Sequence, residues 1–236
     1  MFYYPMYFDP TYILVFIGVV LSLLASAKVK STYAKYSYIQ NRAGMTGREA
    51  AERILRQAGI YDVRVEHVSG QLTDHYDPRK KVLRLSDATY GSTSVAAVGV
   101  AAHECGHALQ HAGNYAPLTI RGALVPVANF GSAIAWPLIV MGLFIRGESA
   151  SWLINIGILA FSMAVLFQVI TLPVEFNASS RANRILGSTG MLAEDELGAA
   201  KKVLGAAALT YVAGAAGAIL QLLRILLLTG GRRDND

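Results

Sequence analysis

The run His103-Glu104-Cys105-Gly106-His107 holds the side chains of this chain best able to do chemistry together. On a helix, residues four apart share a face, so His103 and His107 present two imidazoles at a spacing one ion can bridge. Glu104, one position along and rotated by about 100°, reaches the same space without joining the pair as a ligand. Two neutral imidazoles hold a first-row divalent metal, zinc above all, and a carboxylate beside them can take the proton of a water that such a metal activates. The alternative is a pair of buried histidines in an apolar helix, yet such a helix has little other reason to carry three polar side chains within five positions. Cys105 points to another side and reads as a small buried filler. As the chain's single cysteine it forms no internal disulfide.

The spacing works only if the segment is helical. Residues 95–109 are almost all helix formers or small and apolar, with no proline, cap candidates Ser92, Thr93 and Ser94 before them and Gly113 after them. His111 falls on the face of His107 but two turns from His103, about 12 Å along the axis, too far for all three histidines to bind one ion. It is a candidate pocket residue. A zinc site that works on water needs a third protein ligand and an open fourth position, and the rest of the chain must supply that ligand.

At 236 residues, 53 % hydrophobic and with positive mean hydropathy, the chain is either one compact domain or a small membrane protein. The charge distribution decides for the second. Charged residues are absent from residues 11–27, 122–145 and 149–174, and residues 203–229 contain only Arg224. Each window has the length a bilayer demands. The expected class is a mainly α integral membrane protein, with four transmembrane helices around a small cytoplasmic α+β zincin-like unit. The expected organisation is an anchor at 1–28, an α+β metalloprotease unit at 29–122, a transmembrane hairpin at 123–172, a cytoplasmic segment at 173–205 and a last transmembrane helix at 206–229. Of the 21 lysines and arginines, thirteen fall between positions 28 and 121, and Arg181, Arg184, Lys201 and Lys202 fall between the third and fourth windows. A hairpin of the second and third windows puts both groups on one side, which the positive-inside tendency makes the cytoplasm of a multi-pass plasma-membrane protein. Arg232 and Arg233 would end outside, against that tendency. Arg224 can snorkel to the interface, the commoner behaviour, or neutralise a carboxylate in the bundle. Residues 205–217, rich in Ala and Gly, suit close helix packing in lipid. No Lys-rich run interleaved with aromatics suggests nucleic-acid binding.

In chain order, the N-terminus lacks the positive region of a secretory signal, and Tyr3, Tyr4, Tyr7, Phe8 and Tyr12 read as an interfacial belt around a retained anchor. Residues 28–44 suit a helical extension along the membrane surface. Thr46 and Glu49 form a capping box for an amphipathic helix that Gly59 ends. Residues 63–68 and 81–86 alternate as strands, joined through a turn at Tyr76-Asp77-Pro78-Arg79. An extended peptide could add to an edge at residues 81–86. His67 and His75 have no partner at ligand spacing and read as surface or strand residues.

The hairpin turns at Arg146-Gly147-Glu148 and returns level with the metal helix, and Glu175 is the first acidic residue after that return. A carboxylate just beyond a bilayer-length apolar stretch needs a cation. Zinc, Arg181 and Arg184 all remain open as that cation.

Three separated motifs carry a resemblance: Tyr76-Asp-Pro-Arg-Lys-Lys-Val-Leu-Arg-Leu-Ser86, Ala101-Ala-His-Glu-Cys-Gly-His-Ala-Leu-Gln110 and Leu172-Pro-Val-Glu-Phe-Asn-Ala178. Together they resemble the YugP-type membrane zinc metallopeptidases of bacteria, which are similar to the HtpX-type and CAAX prenyl proteases. The resemblance implies a gluzincin with one zinc ion, ligands His103, His107 and Glu175, and Glu104 as catalytic base. Larger relatives carry an acidic residue one turn after the ligand glutamate, where this chain has Ser179. Arg181, Asn177 and His111 are the candidates to support the oxyanion. The expected partners are a peptide or unfolded membrane-protein substrate and the lipid bilayer. A membrane zinc-binding or scaffold protein without turnover is the alternative, and it has no need of Glu104.

Overall fold

The computed structural model describes residues 9–145 and 148–230. The chain runs α1 (Tyr12–Ser37), α2 (Gly47–Gln57), β1 (Arg64–Val68), β2 (His75–Asp77), β3 (Val82–Ser86), α3 (Val95–Ala112), α4 (Ala116–Phe144), α5 (Glu148–Ser188) and α6 (Glu194–Gly230). Helices α1, α4, α5 and α6 are each long and apolar enough to cross a membrane. The expected turn at Arg146-Gly147, the aromatics Tyr3, Tyr4, Tyr7 and Phe8, and Arg232 and Arg233 lie outside the described residues.

Helix α5 carries on through Pro173 to Ser188, so Glu175 stands on the same helix as the third apolar window. Proline removes one backbone donor and is tolerated where neighbouring groups make good the loss, as in membrane helices. In the same way α1 continues past residue 28 to Ser37, and α6 joins the segment at 194–205 to the last window without interruption.

Two compact units form. The first contains the described residues of 1–24, 124–169 and 213–236. In it α4 and α5 pack so closely that a Cβ on Gly131 would lie 2.6 Å from the carbonyl oxygen of Ala160, the approach small residues permit where lipid gives helices no hydrophobic reason to associate. Arg224 neutralises a carboxylate here. Its guanidinium lies 3.6 Å from Asp9 Oδ2, donates from Nε to Thr11 Oγ1 and covers the Tyr12 ring at 4.2 Å.

The second unit, residues 25–123 and 170–212, holds the chemistry. Its sheet has the order β1-β3-β2, β3 pairing parallel with β1, Val65 opposite Leu83, and antiparallel with β2, Tyr76 opposite Leu83. Strand β3 is therefore central, and the expected peptide-binding edge at residues 81–86 is already taken on both sides. Three-residue β2 is too short to show alternation, and its turn-forming continuation at Asp77-Pro78 masks it. Both faces of β3 are covered: Leu83 and Leu85 on one face have no exposure, and Val82 and Ser86 on the other are buried. Leu83 and Leu85 pack with Ile54 and Leu55 of α2, Val98 and Ala102 of α3, and Leu186 of α5 in one core, each large side chain contributing about 1.5–3 kcal/mol of burial. The Thr46–Glu49 capping box forms as expected, and α3 begins at cap residue Ser94 and ends at Gly113.

Candidate metal centre

Gly106 decides how close α3 comes to α5. A Cβ there would stand 2.5 Å from the carbonyl oxygen of Ala178, so only glycine lets the two backbones meet between the two histidines. The contact brings Glu175 to the imidazoles. Its Oε2 lies 3.3 Å from His103 Nε2 and 3.5 Å from His107 Nε2, and the rings stand at 85° with centroids 4.8 Å apart. All three candidate ligand atoms lie within 4.8 Å of one another.

Glu175 is 2 % exposed, and its Oε2 has no hydrogen-bond partner. A buried oxygen in that state is costly. Its distances to the imidazole nitrogens exceed the usual 2.7–3.2 Å of an N–H···O bond, but equal the separation of about 3.4 Å between two ligands each about 2.1 Å from a tetrahedral ion. The donor set, two imidazoles and a carboxylate, suits zinc. These residues fit the ion.

The tautomers agree with that fit. Gln110 is fully buried, and its amide nitrogen donates to Val174 O at 2.8 Å and to Asn177 Oδ1 at 3.0 Å. Its oxygen, 3.0 Å from His107 Nδ1, therefore accepts the Nδ1 proton and leaves Nε2 a lone pair facing Glu175. His103 Nδ1 lies 3.0 Å from Ser179 Oγ, one turn after Glu175 on α5. Such partners fix ring orientation and basicity.

The second oxygen of Glu175 meets a cation from neither Arg181 nor Arg184. Arg121, on the first turns of α4, places NH1 3.1 Å from Oε1, so the carboxylate faces an arginine on one side and the imidazoles on the other. Arg184 is exposed. Arg181 donates instead to Asn177 Oδ1 at 2.7 Å and lies over the Tyr115 ring at 5.8 Å. Asn177 thus receives both Gln110 and Arg181, and a chain of hydrogen bonds runs from Arg181 to His107. His111 Nδ1 meets the Tyr76 hydroxyl at 2.8 Å, tying β2 to the end of α3. Burial pushes the Tyr76 phenol up to about 12, so it stays protonated near neutral pH. Glu104 is 8 % exposed and close enough for its charge to act on His107. Tyr211 of α6 stands against the Glu175 carboxylate.

His67 and His75 lie apart from this cluster, on Asp87 and on the Thr73 carbonyl. Four residues of the cluster have roles not expected from sequence: Gln110, Arg121, Ser179 and Tyr211. Each carries a faint signal. Gln110 is one turn from His107, Arg121 is the last charge before an apolar window, Ser179 is one turn from Glu175, and Tyr211 is the lone phenol in a run of Ala and Gly.

Two imidazoles and a carboxylate, beside helices long and apolar enough to cross a membrane, suit a zinc-binding membrane protein, and the comparisons narrow that class. The chain belongs to the family described as "Putative neutral zinc metallopeptidase", whose model matches residues 11–230. It is 50 % identical over 216 residues to "Putative membrane protease YugP" of Bacillus subtilis (strain 168), covering 91 % of this chain and 95 % of that one. No solved structure matches.

Proposed function

We propose that the protein is a membrane-embedded, zinc-dependent endopeptidase that hydrolyses peptide bonds near the cytoplasmic membrane surface. The observation that carries this reading is the buried, unpartnered Glu175 Oε2 facing two imidazole nitrogens, with Glu104 on α3 one residue from His103 and three from His107. His103, His107 and Glu175 would hold one zinc ion. When bound, zinc supplies the Lewis acidity that activates water near neutral pH and polarises the scissile carbonyl.

The chain's own residues do the rest. Gln110 and Ser179 keep the two Nδ1 protons engaged, and Arg121 keeps Glu175 aimed. Glu104 accepts a proton from the attacking water as the new C–O bond forms, then returns it to the amine as the C–N bond breaks. With Nδ1 on Tyr76, His111 has Nε2 to offer the developing oxyanion. Asn177 and Arg181 are committed to Gln110 and to each other, which makes them positioning residues rather than donors to substrate. An extended peptide can add to the outer edge of β2, the free edge that Tyr76 ties to α3, and gain backbone hydrogen bonds with little sequence preference. Unfolded membrane proteins and juxtamembrane segments suit a site so placed. The side of the membrane follows from the basic residues between positions 28 and 121.

The test is Glu104→Gln in full-length protein, assayed on an unstructured protein. Cleavage should fall by about 10²–10⁴ while zinc stays bound. Undiminished cleavage would remove the peptidase reading.

A further inference from the structure

A groove of about 450 Å³ lies between α5 and α6 in the second unit. Its polar end, toward the turn that joins the helices, is formed by Asn183 and Lys201. The other end is mostly apolar, lined by Phe176, Leu204, Ala208 and Val212, with the Ser179 and Ser180 hydroxyls between the two ends on α5. Asn183 Oδ1 is buried without a hydrogen-bond partner, and among the described residues the exposed Lys201 joins no ion pair. The apolar rim is open: Phe176, Leu209 and Val212 are 49 %, 47 % and 39 % exposed. Both helices are long and apolar enough to cross a membrane.

We infer that this groove binds a phospholipid with an anionic, hydroxyl-bearing headgroup of the phosphatidylglycerol type, its phosphate on Lys201, a headgroup hydroxyl on the Asn183 amide once that side chain turns its unpaired oxygen into the groove, and an acyl chain along Leu204, Ala208 and Val212. The polarity pattern selects this occupant. A peptide laid along the groove would bury a backbone amide at every residue with only the Ser179 and Ser180 hydroxyls, Asn183 and Lys201 to pair them, whereas a lipid has one polar end and one apolar length. A cation at headgroup depth favours an anionic phosphate. An acceptor lacking a donor favours a hydroxyl, and a choline headgroup has none to give. Ser179 lines the same groove while holding His103 Nδ1, so the lipid packs directly behind a residue of the metal centre. The inference rests on α5 and α6 lying in a bilayer and not on the peptidase reading.

Native mass spectrometry of the full chain in detergent, titrated with phosphatidylglycerol and phosphatidylcholine of matched acyl chains, tests it. One phosphatidylglycerol should be retained in preference to phosphatidylcholine by about tenfold. Lys201→Met and Asn183→Leu should each weaken phosphatidylglycerol by about fivefold and leave phosphatidylcholine unchanged. Zinc content, measured alongside, shows that each variant is folded, and Lys201→Arg should restore binding. Equal affinity for the two lipids, a preference that survives both substitutions, or displacement of the lipid by an extended apolar peptide would overturn it.

Discussion

At the scale of single residues, the metal centre depends on where protons and charges are fixed. Gln110 is a neutral amide with both ends committed, so it presents an acceptor to His107 Nδ1 and nothing else. Gln110→Leu should weaken zinc binding by about 10–100-fold, read by competition with a chelator, while Gln110→Glu keeps an acceptor and should lose less. Arg121→Gln leaves Glu175 Oε1 facing an uncharged partner, and the same assay should show a loss of similar size. The two histidines and Glu104 were legible in sequence because helical spacing alone sets their relation. The partner of Glu175 was not. Arg181 and Arg184 are its neighbours in sequence, but Arg121 arrives from another helix, and no local pattern encodes a contact across 54 positions.

At the scale of elements, the meeting of α3 and α5 is the decisive contact. Gly106→Val would drive a Cβ to 2.5 Å from the Ala178 carbonyl oxygen, so the helices must part. Zinc affinity and thermal stability should drop together, whereas Glu104→Gln should change neither. The small α+β unit rests on burial: Leu83→Ala in central β3 should cost about 2–5 kcal/mol in a denaturation midpoint analysis. Helices α2 and α3 were readable to within a residue or two because caps and glycines punctuate them. The order of the sheet was not, since a strand as short as β2 carries no alternation, and with β2 missing β3 reads as an edge. That omission also misplaced the surface for an extended peptide.

At the scale of the whole molecule, the apolar windows were evident because a bilayer imposes a length on them. Their continuity was hidden. Helix α5 runs through Pro173 and delivers Glu175 on the helix that also carries the third window. The third candidate ligand therefore lies on the continuation of a candidate span, and the cluster can form only where that helix meets α3. The most direct measurement is the zinc content of purified full-length protein and of Glu175→Ala. One zinc per chain in the wild type, and loss of it under mild chelation in Glu175→Ala, is the expected result. A Glu175→Ala protein that keeps its zinc with unchanged affinity, and loses only stability, would show that this carboxylate serves Arg121 alone and that the metal is held elsewhere.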